Sequence, residues 1–331
     1  MVKVHDGTEL FQKETTGRLM KQNFITANET NSVKDAVNYV RTNAAQKNNI
    51  HYVYILNEDQ QLTGVLSLRE LLSLEDDYLL RDVMKSDIVF FHSSVDQEVA
   101  AKVFQDTDLV SIPVLSKHNL LLGVVHVEDI LDVIQFEATE DFHKMATVNT
   151  IEGSLKDTTF SFLYRKRVVW LVVLVFMNVF SGAGIAHFED IIESNIALVF
   201  FLPLLVDSGG NAGSQSSTLM IRAMATGEVK ASDWLKMFMK EISVALALGL
   251  TMAFAVSVVG FYRGGPEIAF VVSLTMVVIV MVGSLIGMSL PFIFNKLKLD
   301  AATASGPLIT SIADIVGVLI YFSIAANFLS L

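Results

Sequence analysis

Hydrophobic and polar positions change their rhythm near residue 167. Before it, short apolar runs alternate with turns. After it come five long apolar stretches, at about 168–187, 195–223, 235–262, 266–294 and 301–329. Each meets the ~20 residues that a helix needs to cross a bilayer, so the pattern predicts five spanning helices. The second stretch differs from the rest. From Pro203 it runs through Asp207-Ser208-Gly209-Gly210-Asn211-Ala212-Gly213-Ser214-Gln215 and becomes small and polar without leaving the membrane region. This predicts an interrupted helix, because irregular backbone at membrane depth survives only when buried in protein or lining a water-filled cavity. A small-residue face packed on another helix is the other reading. The last stretch holds one acid, Asp314. Thr310, Asp314, Gly317 and Tyr321 recur at helical spacing and share a face. A carboxylate at mid-membrane costs about 2.5–3.5 kcal/mol on insertion scales, so the stripe predicts an ion or proton path. An Asp satisfied by a neighbouring helix is the alternative.

The first 140 residues contain an internal repeat. Leu62-Thr-Gly64-Val-Leu-Ser67-Leu-Arg69-Glu70 lines up with Leu121-Leu-Gly123-Val-Val-His126-Val-Glu128-Asp129, 59 residues on. Each unit reads as helix, strand, turn, strand, helix. Tyr52–Leu56 is rich in strand formers, Asn57 to Gln61 supplies the turn, 65–68 forms a second strand, and a helix begins at Arg69. Short duplicated units need one another to close a core. The Gly-apolar-apolar-Ser-x-x-Glu run resembles the CBS (cystathionine-β-synthase) module. In the second copy His126 stands where a hydroxyl is usual. Paired CBS modules often bind adenine nucleotides, and the resemblance implies Tyr52, Arg69 and Glu70 as the contacts, Arg69 for phosphate and Glu70 for a ribose hydroxyl. Helix capping and packing is the plainer role for these three.

Charge separates the two halves. Residues 1–150 carry 13 Lys and Arg against 23 Asp and Glu, whereas 151–331 carry 11 against 12. Mean hydropathy over the chain is +0.50, too high for an ordinary soluble protein. The acidic first half argues against a nucleic-acid partner and suits divalent cations. With no cysteine there is no disulfide and no thiolate metal site. The N-terminus has no basic region followed by an apolar one, so the first half is expected to stay in the cytosol. Arg165-Lys166-Arg167 precedes the first stretch. The loop at 187–193 has no Lys or Arg, the next holds Arg222, Lys230, Lys236 and Lys240, the third only Arg263, and the fourth Lys296 and Lys298. This alternation predicts five spans with the N-terminus inside and the C-terminus outside.

Between the halves lies an acidic run, Glu128, Asp129, Asp132, Glu137, Glu140 and Asp141. On a helix, like charges three or four residues apart repel by a few tenths of a kcal/mol per pair, about 0.2–0.5. Bound Mg²⁺, which prefers carboxylate oxygens and its own waters, would turn that repulsion into attraction. A solvated acidic face is the alternative. Residues 144–167 then read as a linker helix at the inner membrane surface.

Taken together, the CBS pair, Glu137-Ala-Thr-Glu140-Asp141, the run from Pro203 to Gln215 and Pro307-Leu-Ile-Thr-Ser-Ile-Ala-Asp314 resemble the MgtE family of magnesium channels over residues 18–331. The resemblance implies an α/β CBS pair in the cytosol, then an all-α membrane domain of five helices. Its divisions are 1–17 (extension), 18–76 and 77–141 (CBS copies), 142–167 (connecting, or plug, helix) and 168–331 (pore). It implies a homodimer in the plasma membrane that passes Mg²⁺, with ATP as a further ligand of the CBS pair. Asp314 matches the pore aspartate, and Gly209, Gly210, Asn211, Gly213 and Gly317 match pore-lining positions. Asp108, Asp129, Asp132, Glu137 and Glu140 match acids that sense cytosolic Mg²⁺. Two departures stand out. The family carries a further helical domain ahead of the CBS pair, and the 17 residues before Arg18 are too few to form it. Asp207, one turn before Gly210, lies outside the pattern.

Other classes fit less well. An ion-coupled secondary transporter would use Asp314 as a proton or Na⁺ site and stays open. An intramembrane metalloprotease needs His-Glu-x-x-His, and the membrane half has only His187. In an anion channel Asp314 has the wrong sign. A non-conducting sensor leaves the second apolar stretch unexplained.

Overall fold

The computed structural model describes residues 11–44, 50–151 and 155–329; most of the N-terminal extension and part of the connecting segment lie outside them. The chain divides into two compact units, Met1–Ala138 and Thr139–Leu331.

In the first unit the repeat is visible strand by strand. After α1 (Thr16–Leu19), β1 (Ile25–Asn28) pairs in parallel with β2 (Tyr52–Leu56), which pairs antiparallel with β3 (Leu62–Ser67). Helix α2 (Val33–Asn43) lies between β1 and β2, and α3 (Leu68–Ser73) and α4 (Leu80–Val83) follow β3. The second copy repeats this with β4 (Phe91–His92), α5 (Gln97–Asp106), β5 (Ser111–Leu115), β6 (Leu121–His126) and α6 (Val127–Met145). Both hairpins shift register at one place, Ile55/Leu56 and Val114/Leu115. Both turns place a residue in the left-handed region, Gln60 and Asn119, each with φ 60°. The inner faces supply two apolar cores, one around Val53, Ile55, Leu66 and Leu71 and one around Ile112, Val114, Val125 and Ile130.

A capping box starts α3. Ser67 Oγ accepts from the Glu70 N–H at 3.1 Å, and Glu70 Oε2 accepts from the Ser67 N–H at 3.0 Å. Lys85 Nζ closes on Glu70 Oε1 at 2.5 Å. The second copy cannot repeat the box, because His126 has no hydroxyl. There Asp129 turns to Lys21 instead, at 2.5 Å, and His126 Nδ1 is left buried without a partner. Burial holds the His126 imidazole below the usual histidine range, against the pull of Asp129.

The second unit is helical: α7 (Phe160–His187), α8 (Glu189–Ser194), α9 (Ala197–Ala225), α10 (Trp234–Lys296) and α11 (Gly306–Phe328). Among the described residues, three helical stretches are long and apolar enough to cross a membrane: Phe160–His187, Ala231–Lys296 and Gly306–Phe328. The polar run of α9 keeps it below that mark. Helix α10 is two helices meeting at Gly265, whose φ of 78° only glycine adopts freely, followed by Pro266. These halves, 234–264 and 266–296, match the third and fourth apolar stretches.

The expected interruption of the second stretch is absent. Helix α9 runs unbroken through Pro203, Gly209 and Gly210. Proline is tolerated here although it removes one backbone donor, as it often is in membrane helices. The glycines serve close packing instead. A Cβ on Gly213 would meet the Gly283 carbonyl oxygen at 2.6 Å, and Cβ atoms on Gly283 and Gly287 would strike the carbonyls of Gly209 and Gly213. Two Gly-x-x-x-Gly runs therefore lie backbone to backbone, the geometry small residues permit. Tyr321 also departs from expectation. It is fully buried, and its hydroxyl donates to the Leu198 carbonyl at 3.0 Å, so it locks α11 to α9 rather than joining a polar stripe.

Substituting Gly283 by Val should therefore lower the unfolding midpoint of the detergent-solubilised chain, by about 1–3 kcal/mol or more. Gly182→Ala, where a Cβ meets nothing within 4 Å, should leave it unchanged or raise it. Lys85, then Ser67, hold the Glu70 carboxyl down at about pH 2. Its stabilising effect is thus present above the ordinary glutamate range and is lost as pH falls through about 2. The stability gap between wild type and Glu70→Gln should shrink over that acid range, read as denaturation midpoints.

Candidate ion path and nucleotide cleft

Helices α9 and α11 lie side by side in the second unit. A Cβ on Gly210 would sit 3.0–3.4 Å from Thr310, and one on Gly317 would sit 3.8 Å from Val206. Between these two contacts Asp207 of α9 and Asp314 of α11 stand at the same level of the helix pair. Asp314 is half-buried, and Asp207 and Asn211 are exposed. Asn211 Nδ2 donates to Asp207 Oδ2 at 2.9 Å, a bond along one helix face that aims the carboxylate. Gln215 continues that face one turn on. One lip of an apolar bundle thus carries two carboxylates, two amides and, from α11, the half-buried Thr310, whose Oγ1 is tied to the Pro307 carbonyl at 3.0 Å.

The expected pore-lining set divides. Asp314 and Asn211 are on this lip, and Gly210 lets α11 approach it. Gly209 and Gly213 are not on it; they are buried in the seam with the second half of α10, where Ile279 and Gly283 take the space a side chain would need. Gly317 is buried beside Val206 and Ile279. Asp207 went uncounted in the sequence, although its spacing of four from Asn211 already placed the two on one face.

The acids expected to repel one another mostly carry partners. Asp129 pairs with Lys21, Glu137 accepts from Gln97 Nε2 at 2.5 Å, and Glu140 pairs with Lys144 at 2.5 Å. Asp108 and Asp132 are exposed. Among the described residues no three His, Asp or Glu side chains converge as a preformed metal cage. Lys144 also reaches Asp300, at 2.6 Å. Burial favours its neutral amine, but the hydrogen bonds it donates to Asp300 and Glu140 prevail and hold it above the ordinary lysine range. Asp300 has no signature in the sequence, since its partner lies 156 residues away.

In the first unit Tyr52, Arg69 and Glu70 do come together. They line a cleft of about 230 Å³ with Lys85, Asp87 and Ser111. Beneath it Tyr54 and Ser111 share a buried hydrogen bond of 3.0 Å, which joins β2 of one copy to β5 of the other. Burial pushes the Tyr54 phenol well above its ordinary range, so it stays neutral. Glu70 is already engaged by Ser67 and Lys85, whereas the exposed Arg69 has no ion pair among the described residues.

Comparison with known proteins agrees with this division of the chain. The CBS domain family pattern matches residues 17–77 and 80–135, and the MgtE divalent cation transporter pattern matches 202–324. The magnesium transporter MgtE of Thermus thermophilus is 35% identical over 95% of this chain and 70% of its own length. That of Bacillus subtilis is 34% identical over 96% and 70%. Among solved structures, the soluble part of a magnesium transporter is 34% identical with a TM-score of 0.39, covering 40% of this chain and 51% of that one. With relatives of this identity along nearly its whole length, and a matching pattern over the helices that carry Asp314, the chain belongs to the MgtE family of divalent cation transporters.

Proposed function

We propose that the chain is one subunit of a Mg²⁺ channel whose path runs along the α9–α11 lip, with cytosolic Mg²⁺ as its closing signal. The observation that carries this is Asp314, half-exposed on the same lip as Asp207, Asn211 and Thr310. A carboxylate there is tolerable only against water, protein or a cation. The relatives named as magnesium transporters supply the ion. Two copies related by a twofold axis would face their lips together and set two Asp314 carboxylates around the path. Mg²⁺ sheds water reluctantly, so such a pair holds the hydrated ion and favours a divalent over a monovalent one. An inside-negative potential of 100 mV favours entry of a doubly charged ion by about 4.6 kcal/mol, so no energy-coupling machinery is needed.

In this reading α10 crosses twice, turning at Gly265. A straight helix of 63 residues is about 95 Å long, against ~30 Å of hydrocarbon. Five crossings result, with the CBS pair in the cytosol and the C-terminus outside. The acids Asp108, Asp129, Asp132, Glu137 and Glu140 sense Mg²⁺ by charge, and their neutralisation draws the connecting segment onto the path. The cleft at Tyr52 and Arg69 takes an adenine nucleotide, with Arg69 and Lys85 toward the phosphates.

Asp314→Asn and Asp314→Ala should each lower Mg²⁺ influx into liposomes by about tenfold or more, roughly the loss of one strong ion contact. Wild-type flux in both would sink the ion path, and flux that follows a pH gradient would favour a coupled transporter. Arg69→Ala should weaken ATP binding, measured calorimetrically on the whole protein, by about tenfold. An unchanged Kd would remove the nucleotide from the cleft.

A further inference from the structure

Lys144 sits where three parts of the second unit meet. Its ammonium lies 2.5 Å from Glu140 Oε1, one turn earlier on α6, and 2.6 Å from Asp300 Oδ2, in the loop between α10 and α11. Asp300 caps the short turn Ala301–Thr303 that leads into α11. The next residue, Met145, packs against the small apolar cluster that Ile221 of α9 forms with Ala302 and Ala304 of that same loop. Ser217 Oγ of α9 donates to the Ala304 carbonyl at 2.8 Å and ties the loop to α9. The end of α6 thus grips the bases of the two helices that carry Asp207 and Asp314. It does so with an apolar contact and a doubly paired cation.

This arrangement answers a problem of charge. Glu140 and Asp300 would repel each other if only water lay between them, and the segment would drift off. With the ammonium between them they attract it from both sides. The side chains of Lys144, Glu140 and Asp300 are 30%, 17% and 40% exposed, so the pair within α6 is the better shielded and the pair to Asp300 is of partly exposed strength. We propose that Lys144 is a built-in counter-ion that docks the connecting segment onto the bases of α9 and α11 with no metal bound. In the channel reading, on which this last step rests, it sets a resting closure to which cytosolic Mg²⁺ then adds.

The absence of cysteine gives a clean background for a docking probe. In the full chain in liposomes, Met145→Cys with Ala301→Cys, both only half-buried, should cross-link readily through a short bifunctional thiol reagent in EDTA. Lys144→Met and Asp300→Asn should each slow that reaction about fivefold, the size of one partly exposed charge pair. The double variant should be no slower than either, because both remove one interaction. Lys144→Arg should cross-link like the parent. Cross-linking in EDTA that Lys144→Met and Asp300→Asn leave unchanged, or additive slowing in the double variant, overturns the proposal. Lys144→Met should also raise the internal Mg²⁺ needed for half-inhibition of flux about fivefold. If cross-linking slows while inhibition by Mg²⁺ does not move, the docking role stands and the gating reading falls.

Discussion

The second unit depends on two helices whose backbones touch. Gly209 and Gly213 of α9 face Gly283 and Gly287 of α10 so closely that a methyl group at Gly213, Gly283 or Gly287 would strike a carbonyl of the facing helix. This contact fixes the rotation of α9 about its own axis. Once one face is committed to the glycine seam, the face bearing Asp207, Asn211 and Gln215 has to point away from α10. Helix α11 then settles on the flank of α9, held by Thr310 against Gly210 at one level and by the Tyr321 hydroxyl on the Leu198 carbonyl at another. The position of Asp314 follows from a packing decision made by residues with no side chains.

Charge is handled differently in the two units. In the membrane-type unit the carboxylates Asp207 and Asp314 have no basic partner among the described ion pairs, and they stand together on an accessible lip. In the acidic first unit, and along α6, carboxylates meet a lysine or an amide: Glu70 with Lys85, Asp129 with Lys21, Glu137 with Gln97 and Glu140 with Lys144. An acidic net charge therefore coexists with locally satisfied acids. Part of that negative charge is therefore already neutralised by the protein's own lysines.

Much of the fold was legible because it repeats. The 59-residue offset located both hairpins, and the structure reproduces even the left-handed turn residues Gln60 and Asn119. Apolar length also set the third and fourth stretches apart, and the structure puts the turn between them at Gly265. What misled was the run from Asp207 to Gln215. Its glycines looked like a broken helix, because a sequence cannot distinguish a glycine that bends the chain from one that admits a neighbour. Likewise Tyr321 shares helical spacing with Asp314, but 321 lies on the buried flank of that stripe. A stripe four residues wide drifts around a helix, and only packing says where it enters the core.

Chain chemistry alone determined that an acidic, duplicated α/β region precedes an apolar helical one. It also showed that Asp314 must meet something other than lipid. These are consequences of composition and of periods within a single element. The tertiary structure decided which helix faces meet, and so decided the company of each charged group. Asp207 beside Asp314 and Lys144 between Glu140 and Asp300 depend on contacts across roughly 100 residues or more. Such pairings arise from the shape of the seams between helices, which no local pattern in the chain encodes.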